Sequence, residues 1–289
     1  MTQLKDKIAI ITGAGGGFGE GIAAAYVKEG AKVIVADING TAAQRVANAL
    51  GAQASPFTCD VTQKAQVQAL VQHCVATFGA PDIVVNNAGT THKNRPMLEV
   101  DEATFDKVFA VNVKSIYHMT HAILPLMRQK GGGVILNIGS VAGIRPRPGL
   151  SWYNASKGAV NLLSKSMAVE LGPEKIRVNA ICPVMGVTGL FEDFMGLPDT
   201  PQNRAKFIAT IPMGRFATPT DVAAASVFLA SDAAEIFHRH RVPGGWRPHN
   251  LIRRPGHATP CGATCPQGFS EARPETRCLW GICKAQWKF

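Results

Sequence analysis

No run of eighteen consecutive apolar residues occurs in the chain, which excludes a conventional membrane-spanning helix. The opening residues, MTQLKDKIAIITG, lack the basic stretch, apolar stretch and small-residue cleavage site of a secretory leader, so a cytoplasmic protein is expected. Cysteine is scarce before residue 238. Only Cys59, Cys74 and Cys182 occur there, scattered, which argues against a disulfide framework and for buried free thiols. Acidic residues nearly vanish after residue 237: residues 238–289 hold nine Lys/Arg against two Asp/Glu, whereas residues 1–237 hold 21 against 18. Most of the net charge of +10 therefore belongs to the tail, and the nearly balanced body gives no argument for nucleic acid. With 46% hydrophobic and 17% charged residues, the chain can build a sizeable core.

From Lys7 to Ala230, short apolar runs alternate with longer helical patterns. The runs KIAIIT (7–12), KVIVAD (32–37), DIVVNNAG (82–89), GVILNIGS (133–140) and IRVNAICP (176–183) are β-branched and apolar on both faces. Such strands are buried between two layers of helix. Helical patterns fall at about 18–29, 41–50, 63–78, 101–129 and 152–171. The alternation predicts an α/β fold, a doubly wound parallel sheet with helices on both faces, as a single domain over 1–237. Residues 186–215 are less regular and rich in Gly and Pro, and read as an insertion or lid.

The segment IITGAGGGFGEG joins the first strand to the first helix, with Gly13, Gly17 and Gly19 spaced as T-G-x-x-x-G-x-G. Glycines there let backbone approach a pyrophosphate and aim helix N–H groups at it. A tight turn would use the same residues, but the strand-to-helix position favours the dinucleotide reading. Asp37 ends the second strand, twenty residues after Gly17, where a carboxylate accepts both ribose hydroxyls and repels a 2′-phosphate. No Arg or Lys stands in the glycine turn or directly after Asp37, so NAD(H) is favoured over NADP(H). CDVT (59–62) places Asp60 near the adenine.

In SWYNASKGAV, Tyr153 and Lys157 stand at i and i+4 and share a helix face. A phenol is a weak base at neutral pH, and a neighbouring ammonium is expected to lower its pKa and make it a usable acid/base. Ser140, ending a strand thirteen residues earlier, can hydrogen-bond a carbonyl oxygen. Asn112 in VNVKS is placed either to hold a water beside Lys157 or to satisfy backbone groups within its helix. Taken singly, each has an ordinary structural reading; together and in this order, behind a dinucleotide turn, they point to catalysis.

These motifs make residues 4–237 resemble the short-chain dehydrogenase/reductase family: Thr12-Gly13…Gly17…Gly19, Asn86-Asn87-Ala88-Gly89, Asn112, Ser140 and Tyr153…Lys157 stand in its order and spacing. The resemblance implies a Rossmann-type fold and hydride transfer between a nicotinamide and a ketone or secondary alcohol. Tyr153 would exchange the proton, Lys157 would lower its pKa and bind the nicotinamide ribose, Ser140 would polarise the substrate oxygen, and Asn112 would hold the relay water. It adds Phe18, Val61, Asn87, Ala88, Gly89, Pro183 and Thr188 to the cofactor residues, implies no metal, and implies a homotetramer or homodimer. One departure is Pro183-Val184, where the family commonly has Pro-Gly. In GIRPRPGLSWY, Arg145 and Arg147 stand between Ser140 and Tyr153. They are either a lure for an acidic substrate or two solvated arginines in a Pro-rich loop. A runner-up activity is an NADPH-dependent 3-oxoacyl reductase, against which Asp37 argues.

Composition breaks at His238. The family's last strand and V-D-G-G ending are missing, yet the codons for FHRHRVPGGWRPH, read one base later, can encode Phe-Thr-Gly-Thr-Glu-Phe-Pro-Val-Asp-Gly-Gly-Arg. Residues 238–289 are therefore read as a frameshifted, poorly ordered basic tail, with an unpaired sheet edge and a catalytically impaired product as its consequences. Zinc binding by Cys261, Cys265, Cys278 and Cys283 lacks the usual C-x2-C pairing. Nucleic-acid binding through Trp246, Trp280 and Trp287 is the other rival reading.

Overall fold

The computed structural model describes residues 2–186, 188–237 and 241–243. Its strands are β1 (Ile8–Thr12), β2 (Lys32–Asp37), β3 (Ala54–Thr58), β4 (Ile83–Asn86), β5 (Gly133–Ile138), β6 (Ile176–Cys182) and β7 (Arg241–Pro243). They form one sheet in the order β3-β2-β1-β4-β5-β6-β7, with every pairing parallel. The helices are α1 (Gly17–Lys28), α2 (Gly40–Leu50), α3 (Lys64–Thr77), α4 (Glu102–Phe109), α5 (Ser115–Lys130), α6 (Ser151–Leu171), α7 (Phe191–Met195), α8 (Pro201–Ile208) and α9 (Pro219–Ala230). Among the described residues, no helix is long and apolar enough to cross a membrane.

Strand alternation sorts the core into two layers. Ala9, Ile11, Val33, Val35, Ile83 and Val85 face α1, α2 and α9, whereas Ile10, Ile34, Val84, Ile135 and Val178 face α3, α5 and α6. The two-faced apolar strands read in the sequence are thus covered on both sides, as the doubly wound expectation requires. Cys59, Cys74 and Cys182 are free and buried. Burial pushes the Cys59 thiol up to about 11 and that of Cys74 to about 12, which keeps both unreactive at neutral pH.

Three local expectations are corrected. The strand β3 was not foreseen, because ASPFT holds Ser55 and Pro56 in place of an apolar run; its position at the sheet edge tolerates a residue with no N–H to donate. The single helix expected over 101–129 is broken by a π-helical turn, Ala110–Lys114, between α4 and α5. The edge of β6 is also not left unpaired: Ala180, Ile181 and Cys182 pair with Arg241, Val242 and Pro243. Backbone pairing requires extended chain rather than a particular side-chain set, so this segment meets the β6 ladder there. The zinc and nucleic-acid readings of the tail fall on residues outside the described ones.

A polar chain crosses the buried middle of the sheet. Asn86 Nδ2 donates to Asn137 Oδ1 (2.8 Å), Asn137 Nδ2 donates to Ser164 Oγ (2.9 Å), and Ser164 donates to the Val160 carbonyl (2.7 Å), tying β4 and β5 to α6. Asn137 is fully buried, so its replacement leaves Asn86 without an acceptor. Asn137→Leu is expected to lower unfolding free energy by about 1–3 kcal/mol, measured by urea denaturation.

Candidate active site

The site forms where the strand order reverses, between β1 and β4, at the carboxyl ends of the strands. Asn87, leaving β4, donates from Nδ2 to the carbonyls of Thr12 (2.8 Å) and Gly13 (2.9 Å). The backbone N–H groups of Asn87 and Ala88 both donate to Thr12 Oγ1 at 3.1 Å. These bonds bring the chain so close that a Cβ on Gly13, whose φ is +63°, would lie 2.8 Å from Ala88 Cα. A Cβ on Gly19 would lie 2.2 Å from the Gly13 carbonyl oxygen. The start of α1 is thereby left as bare backbone facing the crevice, a cradle that fits a dinucleotide pyrophosphate. Asp37, at the end of β2, accepts from the N–H groups of Gly15 and Asn39, each at 2.9 Å, which fixes its carboxylate beside this cradle.

At the other end, Ser140 follows β5 and Tyr153 and Lys157 lie in the first two turns of α6. Asn161 Nδ2 donates to the Ser140 carbonyl (3.2 Å), which fixes the backbone there, and Ser140 Oγ accepts from the Ala142 N–H (3.0 Å), which orients the hydroxyl. Tyr153 and Lys157 are buried. Lys157 Nζ donates to the Ile138 carbonyl (2.8 Å) and sits 6.0 Å from the centre of the Tyr153 ring. Phe194 of α7 covers that ring edge-to-face at 4.9 Å.

The electrostatics differ from the expectation. Burial pushes the Tyr153 phenol up to about 12, opposed by its hydrogen bond with Ser140. Burial likewise pulls the Lys157 ammonium down to about 8. At neutral pH the pair is therefore phenol plus ammonium. Removal from water is the largest cause acting on the phenol, ahead of its hydrogen bond with Ser140.

One cavity of about 660 Å³ joins the two ends. Gly13, Gly17, Phe18, Asp37, Asp60, Val61, Asn87, Ala88, Gly89, Ser140, Tyr153, Lys157, Pro183 and Thr188 line it. Thr12, Gly19 and Asn112 do not line it and stand behind its wall. Thr12 and Gly19 shape the turn. Asn112, in the π-helical turn, donates to the Thr90 carbonyl and to Ser156 Oγ (both 2.9 Å) and accepts from the Thr90 N–H (2.8 Å). It therefore satisfies backbone of the loop after β4 rather than of its own helix. A Cβ on Gly89 would lie 3.4 Å from both Asn112 Oδ1 and Lys157 Nζ, so the two share one corner.

The sequence missed Phe194, Met185 and Leu190, which form apolar wall from the segment 186–215 and its approach. That segment is more ordered than expected, with α7 and α8 closing over a cluster of Phe191, Met195, Ile211 and Phe216. Arg45 was also missed. It reaches the Gly15 carbonyl (3.0 Å) from α2, but its charge is engaged by Glu20 at 2.8 and 3.0 Å. Arg145 and Arg147 both line the cavity. Among the described residues, no cluster of His, Cys, Asp and Glu could hold a metal.

The family model described as enoyl-(acyl carrier protein) reductase matches residues 13–242. A 4-formylbenzenesulfonate dehydrogenase of Comamonas testosteroni is 47% identical over 235 residues, covering 80% of this chain and 93% of the relative. The chain belongs to the short-chain dehydrogenase/reductase family. As a family member it is an oxidoreductase acting on CH–OH groups. The 7α-hydroxysteroid dehydrogenase of Escherichia coli is 37% identical over 235 residues, covering 80% of this chain and 90% of that enzyme. A crystal structure of 3-ketoacyl-(acyl-carrier-protein) reductase from Brucella melitensis complexed with NADH superposes with a TM-score of 0.79 at 42% identity, over 83% of this chain and 97% of that one.

The cradle supplies a test with its own control. A Cβ on Gly16 meets nothing within 4 Å, whereas one on Gly19 strikes backbone. Gly19→Ala is expected to cost about 1–3 kcal/mol and Gly16→Ala under about 1 kcal/mol, compared by chemical denaturation.

Proposed function

We propose that the chain is an NAD(H)-dependent oxidoreductase that interconverts a secondary alcohol and a ketone, with Tyr153 as general acid/base. The observation that carries this reading is the single cavity that joins Asp37 and the bare glycine turn to Ser140, Tyr153 and Lys157. The nicotinamide, when bound, supplies or takes up the hydride. The Gly13–Gly19 turn would hold the pyrophosphate, Asp37 the adenosine ribose, and Asp60 with Val61 the adenine. Lys157 would hold the second ribose, with Pro183 and Thr188 beside the carboxamide. Val184, in place of the usual glycine, lines the same cavity. Ser140 would orient the substrate oxygen, and the protonated phenol would give its proton to the developing alkoxide. Asn112 would support this relay from its corner beside Lys157.

NAD(H) is preferred because the Asp37 carboxylate opposes a 2′-phosphate and the nearest added cation, Arg45, is engaged by Glu20. An NADPH-dependent 3-oxoacyl reductase is the second reading, favoured by relatives bearing that name, such as the FabG of Thermotoga maritima at 36% identity. The same proposal includes a cytoplasmic setting and a homodimer or homotetramer. Exposed Leu162 and Val169 on α6 and Tyr117 on α5 offer apolar surface for a second copy. It also keeps the segment after Phe237 as a frameshifted tail, which resequencing of the gene would test.

Titration with NADH and NADPH by fluorescence is expected to give tighter NADH binding; tighter NADPH binding would overturn the assignment to Asp37. Tyr153→Phe is expected to cut turnover at least about 100-fold while NADH still binds. Since Lys157 carries its charge below about 8 and loses it above, ketone reduction should hold level through neutral pH and fall as pH rises past about 8, while Tyr153 stays protonated to about 12. A reduction profile level to pH 10 would contradict this.

A further inference from the structure

We infer that the substrate of this site carries an oxyanion, a carboxylate or sulfonate, on an apolar body, and that Arg147 receives it. This rests on the oxidoreductase reading above and adds the substrate class. Among the described residues, the cavity's only carboxylates are Asp37 and Asp60. Both lie toward β2 and β3, at the adenosine end of the sheet, whereas Arg145 and Arg147 line the end that holds Ser140 and Tyr153. The catalytic half of the cavity therefore has cations and no anion of its own.

Arg147 is not simply solvated. Its guanidinium stacks 5.5 Å from the centre of the Phe207 ring of α8, and its Nη2 lies 3.5 Å from Thr210 Oγ1, a long contact. Burial pulls its pKa down. Among the described residues neither Arg145 nor Arg147 joins an ion pair; the six that form use other residues. A desolvated cation is costly without a counter-charge, and an aromatic face offsets only part of that cost. The planar guanidinium keeps further N–H donors for a ligand, in a fork that matches an oxyanion.

The backbone that carries Arg147 is fixed in advance. Asn154 Nδ2 donates to the Arg147 carbonyl (2.8 Å) and Asn154 Oδ1 faces the Arg147 N–H (3.4 Å). Asn154 directly follows Tyr153, so the arginine is referenced to the same helical turn as the acid/base. Pro146 and Pro148 restrict the backbone on either side. A charge held this way loses little entropy on binding. Met185, Leu190 and Phe194 supply apolar wall in the same cavity, which fits an aryl or alkyl body.

The test uses the full chain and ketones in matched sets, each body carrying a carboxylate, a sulfonate or a neutral primary amide. The anionic members are expected to have the higher kcat/KM. In Arg147→Ala the ratio of kcat/KM, anionic over amide, is expected to fall about 10- to 100-fold. Arg147→Lys should recover part of the loss, because charge returns without the planar fork. A ratio near one in the unsubstituted protein, or one unmoved by Arg147→Ala, overturns the inference. Calorimetric titration with benzoate and benzenesulfonate, with and without NADH, separates the two readings. Intact NADH binding with no Arg147-dependent anion binding overturns the inference alone. Arg147-dependent anion binding without binding of either nicotinamide cofactor supports the anion site and overturns the NAD(H)-dependent reading.

Discussion

The hydrogen bonds that fasten Asn87 to the carbonyls of Thr12 and Gly13 act at the point where the sheet reverses its winding order, and the crevice depends on them. Parallel strands bring all their carboxyl ends to one side, and β1 and β4 are paired neighbours whose following loops are drawn together by these bonds. The amide of Asn87 and the hydroxyl of Thr12 fix the two loops as one wall of the crevice. Neither group then needs to touch a ligand to govern where one lies. The two glycine contacts follow from the same closeness, since backbone this near to backbone leaves no volume for a side chain.

The second constraint is burial. Tyr153 and Lys157 are held by a serine, a carbonyl and an aromatic edge. Desolvation moves both groups against their charged forms, in opposite directions on the pH scale. One consequence is a proton stored on the phenol across the neutral range, ready for donation. Another is an ammonium whose charge is marginal, so whatever approaches it is felt strongly.

Much of this was legible beforehand, for identifiable reasons. Strands apolar on both faces announced a covered parallel sheet, and Gly13, Asp37 and Ser140 at strand ends, with Tyr153 and Lys157 on one helix face, pointed to one site because they stood in the expected order. The missed pieces lacked a periodic signal. Ser55 and Pro56 disguised β3, and nothing in AVNVK marks a π-helical turn. That turn decides what Asn112 bonds to, so its partners could not be read either. The balance between burial and the Lys157 charge at Tyr153 is also a property of packing, invisible in an i, i+4 spacing. Arg145 and Arg147 were legible as a pair near the mouth of the site, but the fixing of Arg147 by Asn154 and Phe207 was not, because it depends on packing between distant segments.

The pairing of β6 with Arg241–Pro243 bears on how this gene can drift. A ladder of amides does not read side chains, so that margin of the sheet constrains backbone extension more than residue identity. Mutational damage there is filtered by chain length and extension before it is filtered by residue identity. The opposite holds at the glycine turn, where a single methyl group meets backbone. The molecule thus has one border that is strict in side-chain volume and one that is strict only in backbone shape.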